Sequence, residues 1–273
     1  MNITIIMPLK NINHFLFDTL DSISKQNYKF FSLLVICPSS EYVKIKCFFS
    51  NLSLPFPYEI IHTSLYGIAF AANLGIAHST SEFVARWDSD DLSDSHRFQR
   101  QIEEFMADPN LAIVGTRVVI INENGDPDQF HKFKFYSTSE NIRTALKYRQ
   151  PFLHSSLMFR RDILLINKGY LYGNTSEDHE LFIRIARNDT VTFKNIEDVT
   201  TYYRRHPDQL SDISNIKYQF YEVSGFLFTE FLRTRNPLYL VGIVANVPLI
   251  RKSRHFYRNL LKNVTKFKNK VAR

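Results

Sequence analysis

Three carboxylates lie within four residues at the end of an apolar run, in Phe83-Val84-Ala85-Arg86-Trp87-Asp88-Ser89-Asp90-Asp91. Phe83, Ala85 and Trp87 alternate about Val84 as in a buried strand. Carboxylates this close repel, so something positive should hold them together. A divalent metal is the natural candidate, because Mg²⁺ and Mn²⁺ choose carboxylate oxygen. The carboxyl end of a strand is also where an open α/β sheet binds ligands. The plain alternative is a solvated turn: Asp-Ser-Asp-Asp suits turns, and Ser93 or Asp94 is fit to cap the next helix.

Three further polar features stand out. Glu177-Asp178 sits at a helix start, where Thr175-x-x-Asp178 also matches a capping box. His154 heads an apolar run, a place where histidine commonly packs or hydrogen-bonds. His206, after Tyr202-Tyr203-Arg204-Arg205, suits a metal ligand, a phosphate contact or a surface position. Taken together these features describe one reaction. A metal on the first acidic pair would neutralise a diphosphate. A carboxylate of the second would deprotonate a hydroxyl, and the Arg-Arg-His element would stabilise the departing phosphate.

The elements that must position these groups alternate. Apolar strands are predicted at 3–7, 32–37, 58–61 and 83–87, with helices at 14–25, 42–49 and 67–78 between them. Near-continuous apolar strands separated by helices indicate a doubly wound, mostly parallel α/β sheet covered on both faces, with a nucleotide-binding first half. Further on, the pattern predicts a helix at 95–107, a strand at 111–121 and a turn at 122–126. An edge strand at 130–135, a helix at 139–148 and a strand at 153–159 follow. Last come helices at 162–168 and 175–187 and a strand at 200–205. The organisation expected is a body over 1–212, split near 115 into nucleotide-binding and acceptor-binding halves, and a helical tail over 213–273.

The chain has 273 residues, 44% of them hydrophobic, enough for one large core. Its two cysteines, Cys37 and Cys47, form no CxxC, which fits a reducing compartment. Met1-Asn2 leads directly into an apolar strand without a basic n-region, so no secretory leader is expected. The charge is uneven. No Asp or Glu follows Glu230, while eleven Lys and Arg do, leaving −4 of the chain's net +7 for the rest. Such a tail implies an anionic surface. Pro237 to Ile250 is a mostly apolar run of fourteen, short of the roughly 20 a spanning helix needs. Beyond it Phe256, Leu260, Leu261, Val264 and Phe267 recur with helical spacing among basic residues, as in a helix lying on an anionic bilayer. An ordinary C-terminal helix with a solvated basic face is the alternative. No basic-aromatic motif points to nucleic acid as a partner.

In its motifs the chain resembles the inverting family 2 glycosyltransferases of the GT-A fold, which build bacterial lipopolysaccharide, O-antigen and capsule. The resemblance rests on Ile3-Thr4-Ile5-Ile6-Met7-Pro8, on Leu20 to Tyr28, on Gly67 to Ala77 and on Phe83 to Asp91. It continues through His154 to Arg160, Glu177-Asp178-x-Glu180-Leu181-x-x-Arg184 and Tyr203-Arg204-Arg205-His206-Pro207-x-Gln209-x-Ser211. It implies a nucleotide-sugar donor, most simply UDP-linked, and a lipid-linked or polysaccharide acceptor. Pro8 would line the nucleotide pocket, Asn73 would hold the nucleotide, and Asp88 would contact ribose or metal-bound water. Asp90, with Asp88 near it, would ligate Mn²⁺ or Mg²⁺. Asp178 would be the general base and Glu177 would position a sugar. Arg204 and Arg205 would meet phosphate, His206 would be a further metal or phosphate contact, and His154 would fall on the acceptor side. The enzyme would work in the cytoplasm, peripherally on the inner face of the membrane.

Two departures bear on the donor. The family's acidic pair after the second strand, which reads uracil, is replaced by Cys37-Pro38-Ser39-Ser40-Glu41, so Ser39, Ser40, a backbone amide or Glu41 must substitute. The first loop reads Pro8-Leu9-Lys10-Asn11, which brings Lys10 towards phosphate. Two rivals remain at this stage. A sugar-nucleotide nucleotidyltransferase would want a Gly-rich basic loop after the first strand. A non-catalytic membrane-associated binding protein would show no metal dependence.

Overall fold

A computed structural model describes residues 1–65, 67–128, 133–171, 175–206 and 216–251. The expected alternation is present: β1 (Ile3–Pro8), α1 (Leu16–Ser24), β2 (Phe31–Pro38), α2 (Tyr42–Ser50), β3 (Tyr58–Thr63), α3 (Ile68–His78) and β4 (Phe83–Arg86). After them come β5 (Leu92–Ser93), α4 (Arg97–Ala107), β6 (Leu111–Ile121), α5 (Ser139–Leu146), β7 (Met158–Arg160), α6 (Arg161–Ile166), α7 (Glu177–Ile185) and β8 (Thr192–Arg204). Helices α8 (Ile216–Thr234) and α9 (Leu238–Asn246) close the described chain.

One eight-stranded sheet runs in the order β3-β2-β1-β4-β7-β6-β8-β5. Strands β3, β2, β1 and β4 are mutually parallel, as the βαβ spacing requires. β7 then enters antiparallel to both β4 and β6, and β6 pairs β8 in parallel. The class is α/β as expected, with a parallel first half and a mixed second half.

The two-residue period of the strands divides the core into two layers. Ile3, Ile5, Met7, Leu33, Val35, Phe83 and Ala85 face one side, where they meet Leu16, Leu20 and Ile23 of α1, Ile45 and Phe49 of α2 and Phe98 of α4. Ile6, Leu34, Ile36 and Val84 face the other side, with Ala71 and Ala72 of α3, Leu146 of α5 and Leu181 and Phe182 of α7. Gly75 of α3 lets that helix sit close on β1, since a Cβ there would come within 2.7 Å of the Ile6 side chain.

Three expectations for the second half need correction. The strand expected at 153–159 is a 3₁₀ turn at His154–Ser156 followed by the short β7. Side chains take its polar groups: Gln101 Nε2 donates to Ser156 O at 2.9 Å, and the Ser155 hydroxyl donates to Asp91. The edge strand expected at 130–135 is absent over 133–135, where Arg117 stacks on Phe135 at 4.2 Å, and 130–132 lie outside the described residues. The last strand starts at Thr192 rather than 200, because its parallel pairing to β6 continues past register shifts.

Helices α8 and α9 pack on the body. Val223, Leu227 and Tyr239 join the same core layer as Leu146 and Phe182. Buried Glu230 pairs with Arg187 of the body at 2.5 Å and with Arg233 at 2.8 Å. The boundary expected at 212–213 and the basic segment from 252 onward lie outside the described residues. Among the described residues no helix is long and apolar enough to cross a membrane.

Candidate active site

The acidic loop leaves β4 at the sheet's centre. Trp87 is fully buried and its Nε1 donates to Asp91 O at 3.3 Å, which curls the loop back. Helix α1 pins the loop from below: Asn13 Nδ2 donates to Ser89 Oγ at 3.0 Å and Thr19 Oγ1 to Ser89 O at 3.1 Å.

The three carboxylates have separate tasks. Asp91 is buried and is a staple, accepting from the Ser155 hydroxyl and from Arg204 N at 2.9 Å. Burial and its neighbours Asp90 and Asp88 push its carboxyl up, and those two donors hold it back. Asp88 accepts from Arg86 Nη2 at 2.8 Å. Burial raises its carboxyl, Arg86 lowers it, and Asp90 raises it again. Asp90 is half-buried, its Oδ2 lying 2.8 Å from His206 Nε2, and the imidazole packs on Phe15 at 5.0 Å.

The cation anticipated between the carboxylates is in part built into the protein. Arg86 and Arg97 are both buried behind the loop. Arg97 Nη2 donates to Arg86 O at 2.9 Å and its guanidinium stacks over Trp87 at 4.5 Å. Burial depresses the Arg97 guanidinium to about 9, against the pull of Asp91 and Asp88. Two basic residues on buried positions, one in an apolar strand and one on the apolar face of α4, are the sequence signal for this pair, and it was missed. Arg97→Met keeps the volume and removes the charge. It should cost about 1–3 kcal/mol, because Arg86 O and Gln101 Oε1 lose their donor, and a urea midpoint will show it.

Arg204 has a different place from the one expected. Rather than facing phosphate, its guanidinium is buried, donating to Asp90 O at 3.0 Å and Glu123 O at 2.7 Å and stacking over Phe15 at 4.5 Å. It therefore holds the Asp90 backbone. Arg205 is exposed, with its own N donating to Ile121 O at 2.9 Å. Asn73 also turns inward. Its side-chain amide forms a two-bond clamp with Tyr170, Nδ2 to Tyr170 O at 2.7 Å and Tyr170 N to Oδ1 at 2.8 Å, so it does not face a nucleotide. Gly169 permits that clamp: its φ is +60°, and a Cβ would strike Asn73 Oδ1. Gly169→Ala should cost about 1–3 kcal/mol, read as a lower melting temperature.

Glu177 and Asp178 open α7, and the capping box is not formed. Ser176 precedes the helix without a side-chain cap bond, and Thr175 N and Oγ1 instead donate to Glu222 Oε2 at 3.1 and 2.9 Å. Asp178 accepts from its neighbour His179 N at 2.7 Å. Burial pushes the Asp178 carboxyl up to about 6, while the His179 N–H, the Gln150 amide and Arg86 pull it down. Burial and Asp178 together push Glu177 up to about 8. His154 lies close by, with Nε2 2.6 Å from the Tyr170 hydroxyl. Burial, with Arg86 adding, holds its imidazole well below the usual range, so it is neutral. The Tyr170 phenol feels Arg86, Asp178, Glu177 and Asp88, which marks one shared electrostatic centre.

At the carboxyl ends of β1 to β3 lie Pro8, half-buried, and Lys10, exposed. Ser39 Oγ is 3.0 Å from His62 Nδ1, and the His62 ring stacks at 4.3 Å on Tyr42. His62 was not singled out from the sequence, since a lone histidine at a strand end carries no signal.

No group of three His, Cys, Asp or Glu is arranged to hold a metal among the described residues. The pair Asp90–His206 nevertheless fits one. Mg²⁺ and Mn²⁺ sites commonly use one or two protein ligands and take the rest from phosphate and water. A half-buried carboxylate beside an imidazole nitrogen supplies that donor set.

A parallel first half, an Asp-x-Asp loop at the sheet's centre and a raised carboxyl beyond it are the arrangement expected of a glycosyltransferase of the GT-A fold. The model for glycosyl transferase family 2 matches residues 4–165, and the chain belongs to that family. The O-antigen biosynthesis glycosyltransferase WbnJ of Escherichia coli is 30% identical over 235 residues, 85% of this chain and 90% of that protein. The Escherichia coli UDP-Glc:alpha-D-GlcNAc-diphosphoundecaprenol beta-1,3-glucosyltransferase WfgD is 24% identical, over 93% of this chain and 95% of that one. Among solved structures, S. aureus TarS in complex with UDP-GlcNAc superposes with a TM-score of 0.63 at 16% identity, covering 85% of this chain and 67% of TarS. The mannosyltransferase PcManGT of Pyrobaculum calidifontis, in complex with GDP-Man and Mn²⁺, gives 0.60 at 17%, covering 90% of this chain and 73% of that one. These likenesses confirm the fold.

Proposed function

We propose that the enzyme transfers one sugar from a UDP-sugar to a hydroxyl of a lipid-linked glycan in surface polysaccharide synthesis. The observation that carries this is the uncapped Asp178 at the head of α7, its carboxyl at about 6, sharing an electrostatic centre with the Asp88 loop. A base poised near neutral pH is what deprotonation of a sugar hydroxyl requires. WfgD, by its name, uses UDP-Glc and a diphosphoundecaprenol-linked acceptor, and WbnJ serves O-antigen synthesis, which supports the substrate classes.

Asp178 takes the acceptor's proton as the oxygen bonds to the anomeric carbon. The bond from that carbon to the diphosphate breaks, and UDP leaves with the electron pair. Attack opposite the leaving group inverts the anomeric centre. Glu177, protonated at neutral pH, donates a hydrogen bond to a sugar oxygen. Asp90 and His206 would hold Mn²⁺ or Mg²⁺, which supplies charge neutralisation for the diphosphate. Arg205 and Lys10 are exposed cations on the phosphate side, and Pro8, Ser39 and His62 border the base. The basic residues after Glu230 support work at the inner, anionic face of the cytoplasmic membrane.

The test is calorimetric titration of UDP, with and without Mn²⁺, followed by UDP release from UDP-sugars. Binding that needs the metal is expected. Absence of binding to UDP, with binding to GDP or CMP, would overturn the base assignment. Absence of binding to any nucleotide would overturn the function.

A further inference from the structure

Helix α9 reads Leu238-Tyr-Leu-Val-Gly-Ile-Val-Ala-Asn246 and contains no charged residue. A helix apolar on all sides belongs in a core or against lipid. Only one side of α9 is covered by the body. Tyr239 and Gly242 are buried, and a Cβ on Gly242 would come within 2.5 Å of Lys147 O. Asn246 Nδ2 lies 3.5 Å from Tyr148 O on the same side. At 100° per residue, Leu240, Val241 and Val244 fall opposite that face. They are 37%, 54% and 57% exposed, and Leu249 just beyond is 77% exposed.

The surroundings say what covers this face. The chain after Glu230 carries eleven cations and no acid, so α9 is an apolar ridge within a purely cationic segment. Exposed Arg235 lies just before it. Apolar contact flanked by cations matches a bilayer interface with anionic headgroups. Position agrees with this. The body segment under α9, Lys147–Tyr148, leads in two residues to Gln150, whose amide lies beside Asp178. Helix α9 thus packs on a segment of chain that leads directly to the neighbourhood of Asp178, the base proposed to meet the acceptor.

We infer that the outer face of α9, Leu240, Val241 and Val244, inserts into an anionic bilayer and holds the acceptor pocket at the membrane surface. This rests on the lipid-linked acceptor proposed above. The experiment sediments the full-length protein with vesicles of phosphatidylcholine alone or mixed with phosphatidylglycerol. Wild type should pellet with the anionic vesicles, and Val241→Asp/Val244→Asp at least tenfold less, with UDP binding unchanged in both. Val241→Trp in an otherwise intact chain should be quenched by brominated anionic lipid, whereas buried Trp87 in the wild type should not. Three results would overturn the inference: the double variant pelleting like wild type, Val241→Trp remaining unquenched, or light scattering showing a wild-type dimer that the double variant dissolves. UDP binding reads the donor site separately. Absence of binding to every nucleotide in the wild type would sink the proposed function whatever the vesicles show.

Discussion

Asp178→Asn is expected to slow transfer by about 10²- to 10⁴-fold, the range general-base catalysis supplies, while leaving the affinity for UDP unchanged. The amide keeps the size and the acceptor oxygen that meets His179 N. It loses only the ability to take a proton. In the wild type, kcat/KM should fall on the acid side with a midpoint near 6, where burial has placed this carboxyl. Stability gives an independent reading with a definite sign. An unfolded Asp titrates near about 3.9, so between roughly pH 4 and 6 the unfolded chain has lost a proton that the native Asp178 keeps. The wild type should therefore lose stability on this account as pH rises through that window. Asp178→Asn lacks the loss, so its melting temperature should rise relative to wild type from pH 4 to 7. A variant with full activity, or one whose relative stability ignores pH, would remove Asp178 from the role.

Asp90→Ala should abolish the effect of Mn²⁺ on UDP affinity and lower transfer by about 10³-fold, as expected when charge stabilisation of a leaving group is lost. The fold should survive. Among the described residues the Asp90 side chain bonds to His206, while the loop is held by Asp90 O to Arg204, Asp91 to Arg204 N, and Ser89 to α1. Calorimetry in EDTA should give equal UDP affinity for variant and wild type. Retention of the Mn²⁺ effect in Asp90→Ala would exclude this carboxylate as a ligand.

Much of the parallel half was legible before any coordinates, because each strand there is an apolar run bounded by Pro, Gly or a polar cluster. The segments at 153–159 and 130–135 were not. Short apolar runs carry no period that separates a strand from a packed coil, and side chains from α4 and β6 decide what their backbones do. The same limit applied to the tail. Fourteen apolar residues after 236 are equally consistent with a buried helix and a surface one, and α9 is buried on one side and exposed on the other.

The amino-acid order supplied the residue types of the candidate site, since Asp-x-Asp after an apolar strand and Glu-Asp before an amphipathic helix survive any detail of packing. It settled the family for the same reason, because those motifs recur in a set sequence along the chain. Division of labour among the groups needed the fold. Asp88, Asp90 and Asp91 are alike in sequence, and only their neighbours make one the partner of Arg86, one the partner of His206 and one a buried staple. Arg204 and Asn73 read as ligand contacts, but the fold brings Arg204 onto the carbonyls of Asp90 and Glu123 and Asn73 onto the backbone of Tyr170. A carboxyl's proton affinity follows from its distance to water and to other charges. Those distances are set by residues far apart in the chain, as Arg86 and Asp178 are.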